Sequence, residues 1–132
     1  MLRRFFMTIA YWCVLAGAFL PIFFTGIAKF SGPGFDNRSP RAFQARLEGM
    51  RQRAHYAHLN GFEAFAPFAA AVIIAHQLGV GQSALDNLAL SWVGLRILYG
   101  VFYMLDMGPL RSLAWLAAVL CWVAMFVLGA RV

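Results

Sequence analysis

Four apolar runs, each close to the length that crosses a bilayer and each parted from the next by a short polar or glycine-containing break, leave this chain few ways to fold. A spanning helix needs roughly 20 mainly apolar residues. Within lipid, only helices and closed barrels satisfy every backbone polar group. The runs cover about 5–28, 53–78, 85–104 and 109–130, in a single domain of residues 1–132 without a Ser- or Gly-rich linker or an internal repeat. Hydrophobic residues make up 62% of the chain and charged ones only 12%, whereas a soluble domain is roughly half apolar and about a quarter charged. The expected fold is all-α and integral to the membrane: a four-transmembrane-helix antiparallel bundle, because short connections place consecutive helices side by side.

The breaks carry recognisable end signals. Arg3, Arg4 and the small residues Ala16-Gly17-Ala18 resemble a cleavable signal, but the apolar run continues through Leu20, Ile22, Phe23 and Phe24, so an uncleaved first span is expected. Pro21 lies inside it and should kink it. Ser31-Gly32-Pro33-Gly34 ends that span. Pro40 to Met50 is compatible with helix running on into the second span, with Ser39 at its N-cap position. Gly79 and Gly81 mark a turn, Ser83 or Asp86 is a candidate N-cap for the third span, and Pro109 opens the fourth.

The formal charge of +6 is not a nucleic-acid signal, because the basic residues sit in the connections. Lys29, Arg38, Arg41, Arg46, Arg51, Arg53 and Arg111 fall on one side of the expected bundle, and Arg3, Arg4 and Arg131 on the other. The excess of Lys and Arg marks the cytoplasmic side and leaves both termini non-cytoplasmic. Such residues also meet lipid headgroups and anions. Cys13 and Cys121 lie in apolar runs with no metal-ligand spacing and read as buried thiols.

Polar residues inside the runs are the functional candidates, since ionisable groups at membrane depth are costly. Arg53, Asn60, Glu63 and Pro67 share a helix face by spacings of seven, three and four, and so do Arg96, Tyr99 and Tyr103. Together with Lys29 and Arg111 they converge on the cytoplasmic end. One carboxylate among several cations leaves two readings open. Either the group holds an anionic ligand whose amino group meets Glu63, with Arg forks on its carboxylates, or Glu63 neutralises Arg53 or Arg96 as a structural pair. His55 and His58 have no third ligand at zinc spacing and read as a solvated or headgroup-facing pair. Trp115 and Trp122 read as packing or lipid contacts. Phosphate loops, nucleophile elbows and paired carboxylates are absent from the sequence.

These motifs carry a resemblance. Arg53-Ala54-His55, then Asn60-x-x-Glu63-x-x-x-Pro67, resembles the signature of the MAPEG superfamily, the membrane-associated proteins in eicosanoid and glutathione metabolism. Thr25-Gly26-x-x-Lys29, Arg96-x-x-Tyr99-x-x-x-Tyr103 and Pro109-Leu110-Arg111-Ser112 are similar to its first, third and fourth helices, so the likeness spans nearly the whole chain. The resemblance implies a homotrimer in a bacterial inner membrane with glutathione between neighbouring subunits. Lys29, Arg53, Asn60, Glu63, Arg96, Tyr99 and Tyr103 would form the binding set, with Arg111 as the catalytic residue facing the sulfur. It further implies a transferase or peroxidase that turns the thiolate on a lipophilic small molecule; the alternative is a non-catalytic member that binds lipid or a partner protein. Three positions depart from the pattern: Tyr56 stands where characterised members often carry Arg, Ala64 where Tyr or Asn is common, and Trp115 where some have Tyr. These remove one carboxylate clamp and leave Arg111 in place.

Overall fold

The computed structural model describes residues 6–132, so Arg3 and Arg4 lie outside the described residues. The chain forms α1 (Ile9–Phe30), α2 (Pro40–Ala45), α3 (Gly49–Leu78), α4 (Gln82–Met104) and α5 (Gly108–Gly129). Four of these are long, and α3 and α4 each pack against all the other long helices. Contacts at the ends fix their directions. The first turn of α1 meets Asp86 near the start of α4 and His76 near the end of α3. At the opposite end, Arg51 of α3 reaches the last carbonyls of α1, and Arg53 reaches the last carbonyl of α4. Consecutive long helices are therefore antiparallel.

Three helices, α1, α3 and α5, are long and apolar enough to cross a membrane. The 23-residue α4 is not among them, because it carries Gln82, Asp86, Asn87 and Arg96. Two of those groups turn inward. Asp86 Oδ1 accepts from the Ala10 backbone N–H of α1 at 2.9 Å and from Gln82 Nε2 at 2.6 Å, and Arg96 donates to Asn60 of α3.

Side-chain size is distributed as lipid solvent demands. The core that joins the long helices is rich in small residues: Ala10, Cys13, Ala71, Ala75, Ala89, Ala118 and Cys121 are all buried. Large apolar side chains such as Phe19, Phe23, Leu113 and Leu120 point outward. Lipid supplies no hydrophobic drive between helices, so close backbone approach at small residues does the holding. Rings from neighbours fill the space left by three helical glycines: Trp92 of α4 sits on Gly17 of α1, Pro21 of α1 on Gly61 of α3, and Phe24 of α1 on Gly100 of α4. Phe68 and Trp92 stack at 3.7 Å across α3 and α4.

The helix ends differ from the sequence expectation in three places. The polar connection does not run into the next helix. After α2 the chain breaks at Arg46 to Glu48 and restarts at Gly49, whose φ of +64° suits glycine. Neither Ser83 nor Asp86 caps α4; Gly81 holds the N-cap position, and Asp86 instead serves α1, beside Thr8, whose hydroxyl accepts from the Tyr11 N–H. Ser39 does occupy the α2 N-cap position, but its side chain makes no capping bond. Gly79 ends α3 in the left-handed conformation at φ +83°, which closes the turn into α4.

The glycine contacts lead to a direct test on one helix. A Cβ at Gly100 would fall within the Phe24 ring, whereas one at Gly94 meets nothing within 4 Å. Gly100→Ala should lower the thermal midpoint in detergent by an amount equivalent to about 1–3 kcal/mol of overpacking. Gly94→Ala should leave it unchanged or raise it, since alanine is favoured in helix interiors by roughly 0.5–1 kcal/mol. Equal effects of the two substitutions would contradict this packing.

Candidate functional site

The site is built around Arg96, which lies in the middle of α4 and is only 4% exposed. One of its terminal nitrogens donates to Asn60 Oδ1 at 2.9 Å, and Asn60 Nδ2 in turn donates to Glu63 Oε2 at 3.4 Å. Asn60 thus links a buried cation to a carboxylate one helical turn further along α3. The other terminal nitrogen, Nη1, is buried without a partner.

From Arg96 an aromatic series runs along α4 to the start of α5. The guanidinium lies 4.1 Å from the Tyr99 ring centroid, within cation–π range. Tyr99 and Tyr103 meet edge to face at 5.7 Å, and the Arg111 guanidinium covers Tyr103 at 4.5 Å. Local sequence explains how Arg111 returns to this position. Asp106 adopts φ +60°, a left-handed conformation that Asp tolerates better than most residues. The Met107 N–H bonds to the Phe102 carbonyl at 2.8 Å, closing the turn. Pro109 then sits in the first turn of α5, with Arg111 beside it.

A groove of about 180 Å³ opens beside the Arg96, Asn60 and Glu63 cluster. Its other walls are apolar, with Pro67 of α3, Trp92 of α4 and Trp115 and Trp122 of α5 among them. Cationic, amide and acidic groups therefore stand at one end of a tryptophan-walled channel, with two phenols leading from it to a second cation. Such a surface presents complementary charges to a ligand that carries both signs.

The structure separates the residues singled out in the sequence into two groups. Asn60, Glu63, Arg96, Tyr99, Tyr103 and Arg111 form one connected set. Lys29 and Arg53 make other contacts. Lys29 Nζ lies 5.1 Å from the Phe35 ring in the connection after α1, and Arg53 Nε donates to the Met104 carbonyl at 3.2 Å, completing the end of α4. Glu63 meets Asn60 rather than Arg53. Two residues join the set that spacing did not assign to it. Tyr56, four residues before Asn60, lies 6.3 Å from Tyr103, and Trp92, four before Arg96, walls the groove. The same i, i+4 rule that grouped the polar stripes would have found both. Trp115 and Trp122, read as packing or lipid contacts, line the groove as well.

The model of the MAPEG family matches residues 9–131, nearly the whole chain. The chain belongs to the MAPEG family, and with its three apolar spans it is an integral membrane protein of that family. Among curated proteins and solved structures, the searches returned no match.

The link through Asn60 has a measurable energetic consequence. Asn60→Ala removes the acceptor from a buried guanidinium and should cost about 1–3 kcal/mol, read as a lowered unfolding midpoint in detergent. Arg96→Met added to that variant removes the stranded charge and should recover part of the loss, because apolar replacement of buried charge is often neutral. Losses that simply add in the double variant would contradict the coupling.

Proposed function

We propose that this protein is a membrane-embedded, glutathione-dependent transferase or peroxidase. It binds glutathione at the Arg96, Asn60, Glu63 cluster and the Tyr99, Tyr103 series, and holds the sulfur near Arg111. The observation that carries this reading is the continuous arrangement from Glu63 through Asn60 and Arg96 to the tyrosines and Arg111. Glutathione carries an α-amino group, two carboxylates and a thiol, and so asks for a carboxylate, cationic donors and a group that favours the thiolate. A guanidinium beside a thiol favours its ionised form by charge and hydrogen bonding, and the thiolate is the nucleophile. The tryptophan-walled groove offers a lipophilic electrophile or hydroperoxide a route from the membrane.

The assembly in this reading is a homotrimer of four-span subunits with both termini non-cytoplasmic, in a bacterial inner membrane. Lys29, in the last turn of α1, and Arg53, at the end of α4, then act at the subunit edge rather than inside the cluster. The inward placement of Asp86 and Arg96 supports counting α4 as the fourth span, since its most polar side chains have partners within the bundle.

A second reading has its own observation. Asn60 already bridges Arg96 and Glu63, so the polar cluster also satisfies the demands of structural glue in a non-catalytic member. Ligand binding separates the two, because anything that binds the folded state raises stability by mass action. Glutathione at a concentration 100 times its dissociation constant should stabilise the wild type by about 2.7 kcal/mol, seen as a raised thermal midpoint in detergent. Glu63→Ala should reduce that shift. An unchanged midpoint in the wild type, or equal shifts in both proteins, would favour the structural reading.

A further inference from the structure

The start of α3 grips the end of α4 at the point from which Arg111 is hung. Leu105 to Met107 form the whole link between α4 and α5. Three backbone bonds close it: the Leu105, Asp106 and Met107 N–H groups donate to the carbonyls of Val101, Tyr103 and Phe102 at 3.0, 3.1 and 2.8 Å. The Met104 carbonyl receives no backbone N–H among the described residues, and its donor is Arg53 Nε at 3.2 Å, from 51 residues earlier in the chain. We propose that Arg53 is a positioning residue for Arg111: its hydrogen bond to the Met104 carbonyl fixes the turn between α4 and α5, and that turn holds the Arg111 guanidinium over the Tyr103 ring. The inference rests on the reading in which Arg111 faces the sulfur of glutathione, and it adds to that reading a residue outside the ligand cluster.

The turn is one that needs holding. Asp106 stands at φ +60°, a conformation that residues other than glycine keep only where their surroundings impose it. Arg111 is tied at two points. Its N–H donates to the Met107 carbonyl at 2.9 Å, so its backbone moves with the turn. Its guanidinium lies 4.5 Å from the Tyr103 ring, so its side chain is referred to α4. A turn that left α4 at another angle would carry the first tie away from the second.

The grip extends beyond one hydrogen bond. Met104 packs against the buried Ala28, Leu47 and Ala54, and the Tyr56 ring lies 6.3 Å from that of Tyr103. One turn of α3 thus meets the last two residues of α4. Arg51 does for α1 what Arg53 does for α4, since its Nε donates to the Ala28 carbonyl at 3.0 Å. In both cases the side chain satisfies a carbonyl that a helix end leaves open, where a cation is also favoured. Direct binding of the ligand is the poorer role for Arg53, because it does not border the groove beside Arg96, Asn60 and Glu63.

The test compares Arg53→Met with Arg53→Gln. Methionine keeps an apolar stem and removes every donor. Glutamine carries an N–H on its δ carbon, where arginine carries Nε, so it can donate to the Met104 carbonyl without a charge. The first readout needs no ligand: the Arg111 Nε–H resonance of protein with isotope-labelled arginine, assigned by its loss in Arg111→Ala. In the wild type the Tyr103 ring displaces this resonance upfield. Arg53→Met should move it towards that of an exposed arginine, and Arg53→Gln should keep the displacement. The second readout is the pH at which bound glutathione becomes thiolate. A guanidinium near the sulfur lowers that pH, so Arg53→Met should raise it by up to about one unit, the worth of one hydrogen bond. The dissociation constant should change little, and Arg53→Met should add nothing to Arg111→Ala. Arg53→Asn, polar but one carbon too short, stands in if Arg53→Met does not fold. An Arg111 resonance unmoved in the donor-free variant, or an Arg53→Gln protein that behaves like it, would overturn the proposal. So would a weakened dissociation constant with an unchanged thiolate pH, which would make Arg53 a ligand for a carboxylate. A wild type that forms no thiolate would sink the glutathione reading, while the ligand-free resonance would still decide how Arg111 is placed.

Discussion

The hydrogen bond from Arg96 to Asn60 is the interaction on which the rest of this structure turns. A guanidinium buried at mid-helix is tolerable only with acceptors nearby, and its one hydrogen bond to another side chain goes to Asn60 on the face of α3 that also carries Glu63, with the Tyr99 ring beneath it. That requirement sets how α3 and α4 face each other. It brings Trp92 and Pro67 to the same groove, and it starts the series of rings that ends under Arg111. The position of the proposed site is thus a consequence of satisfying one buried charge.

The same demand governs the helix ends. Besides the Thr8 cap that α1 carries itself, backbone groups at the ends of α1 and α4 are served by side chains from another helix. Arg51 donates to the carbonyls of Ala28, Lys29, Gly32 and Pro33, Arg53 to that of Met104, and Asp86 accepts from Ala10. Carbonyls at a helix C-terminus favour cations, and amides at an N-terminus favour anions. These long-range caps tie the start of α3 to two neighbours at one end and α4 to α1 at the other. Small residues then let the helices close on one another between the tied ends.

Much of this was legible in the sequence where the signal is local. Apolar run lengths, Gly79 at the α3 end, Pro109 in the first turn of α5, and the Arg96, Tyr99, Tyr103 spacing each depend on residues within a turn or two of one another. What depends on distant partners was not legible. Spacing put Arg53 on the Asn60 face, but its partner is a carbonyl 51 residues away in sequence. Asp86 looked like a cap for its own helix and serves one 76 residues earlier. The break before α3 was hidden because Gly49 sits in a stretch of otherwise good helix formers, and its positive φ is a property of the turn it makes with Leu47 and Glu48. The polar residues of α4 leave it without a stretch apolar enough to cross a membrane, and only the packing reveals that Asp86 and Arg96 turn inward.

The central claim is that Arg111 holds the sulfur of glutathione as a thiolate. An ultraviolet difference spectrum on adding glutathione to the purified protein near neutral pH, beside Arg111→Ala, tests it most directly. The account predicts a thiolate absorbance with the wild type that is lost in the variant. No thiolate with the wild type at saturating glutathione, or the same signal in both proteins, would contradict it.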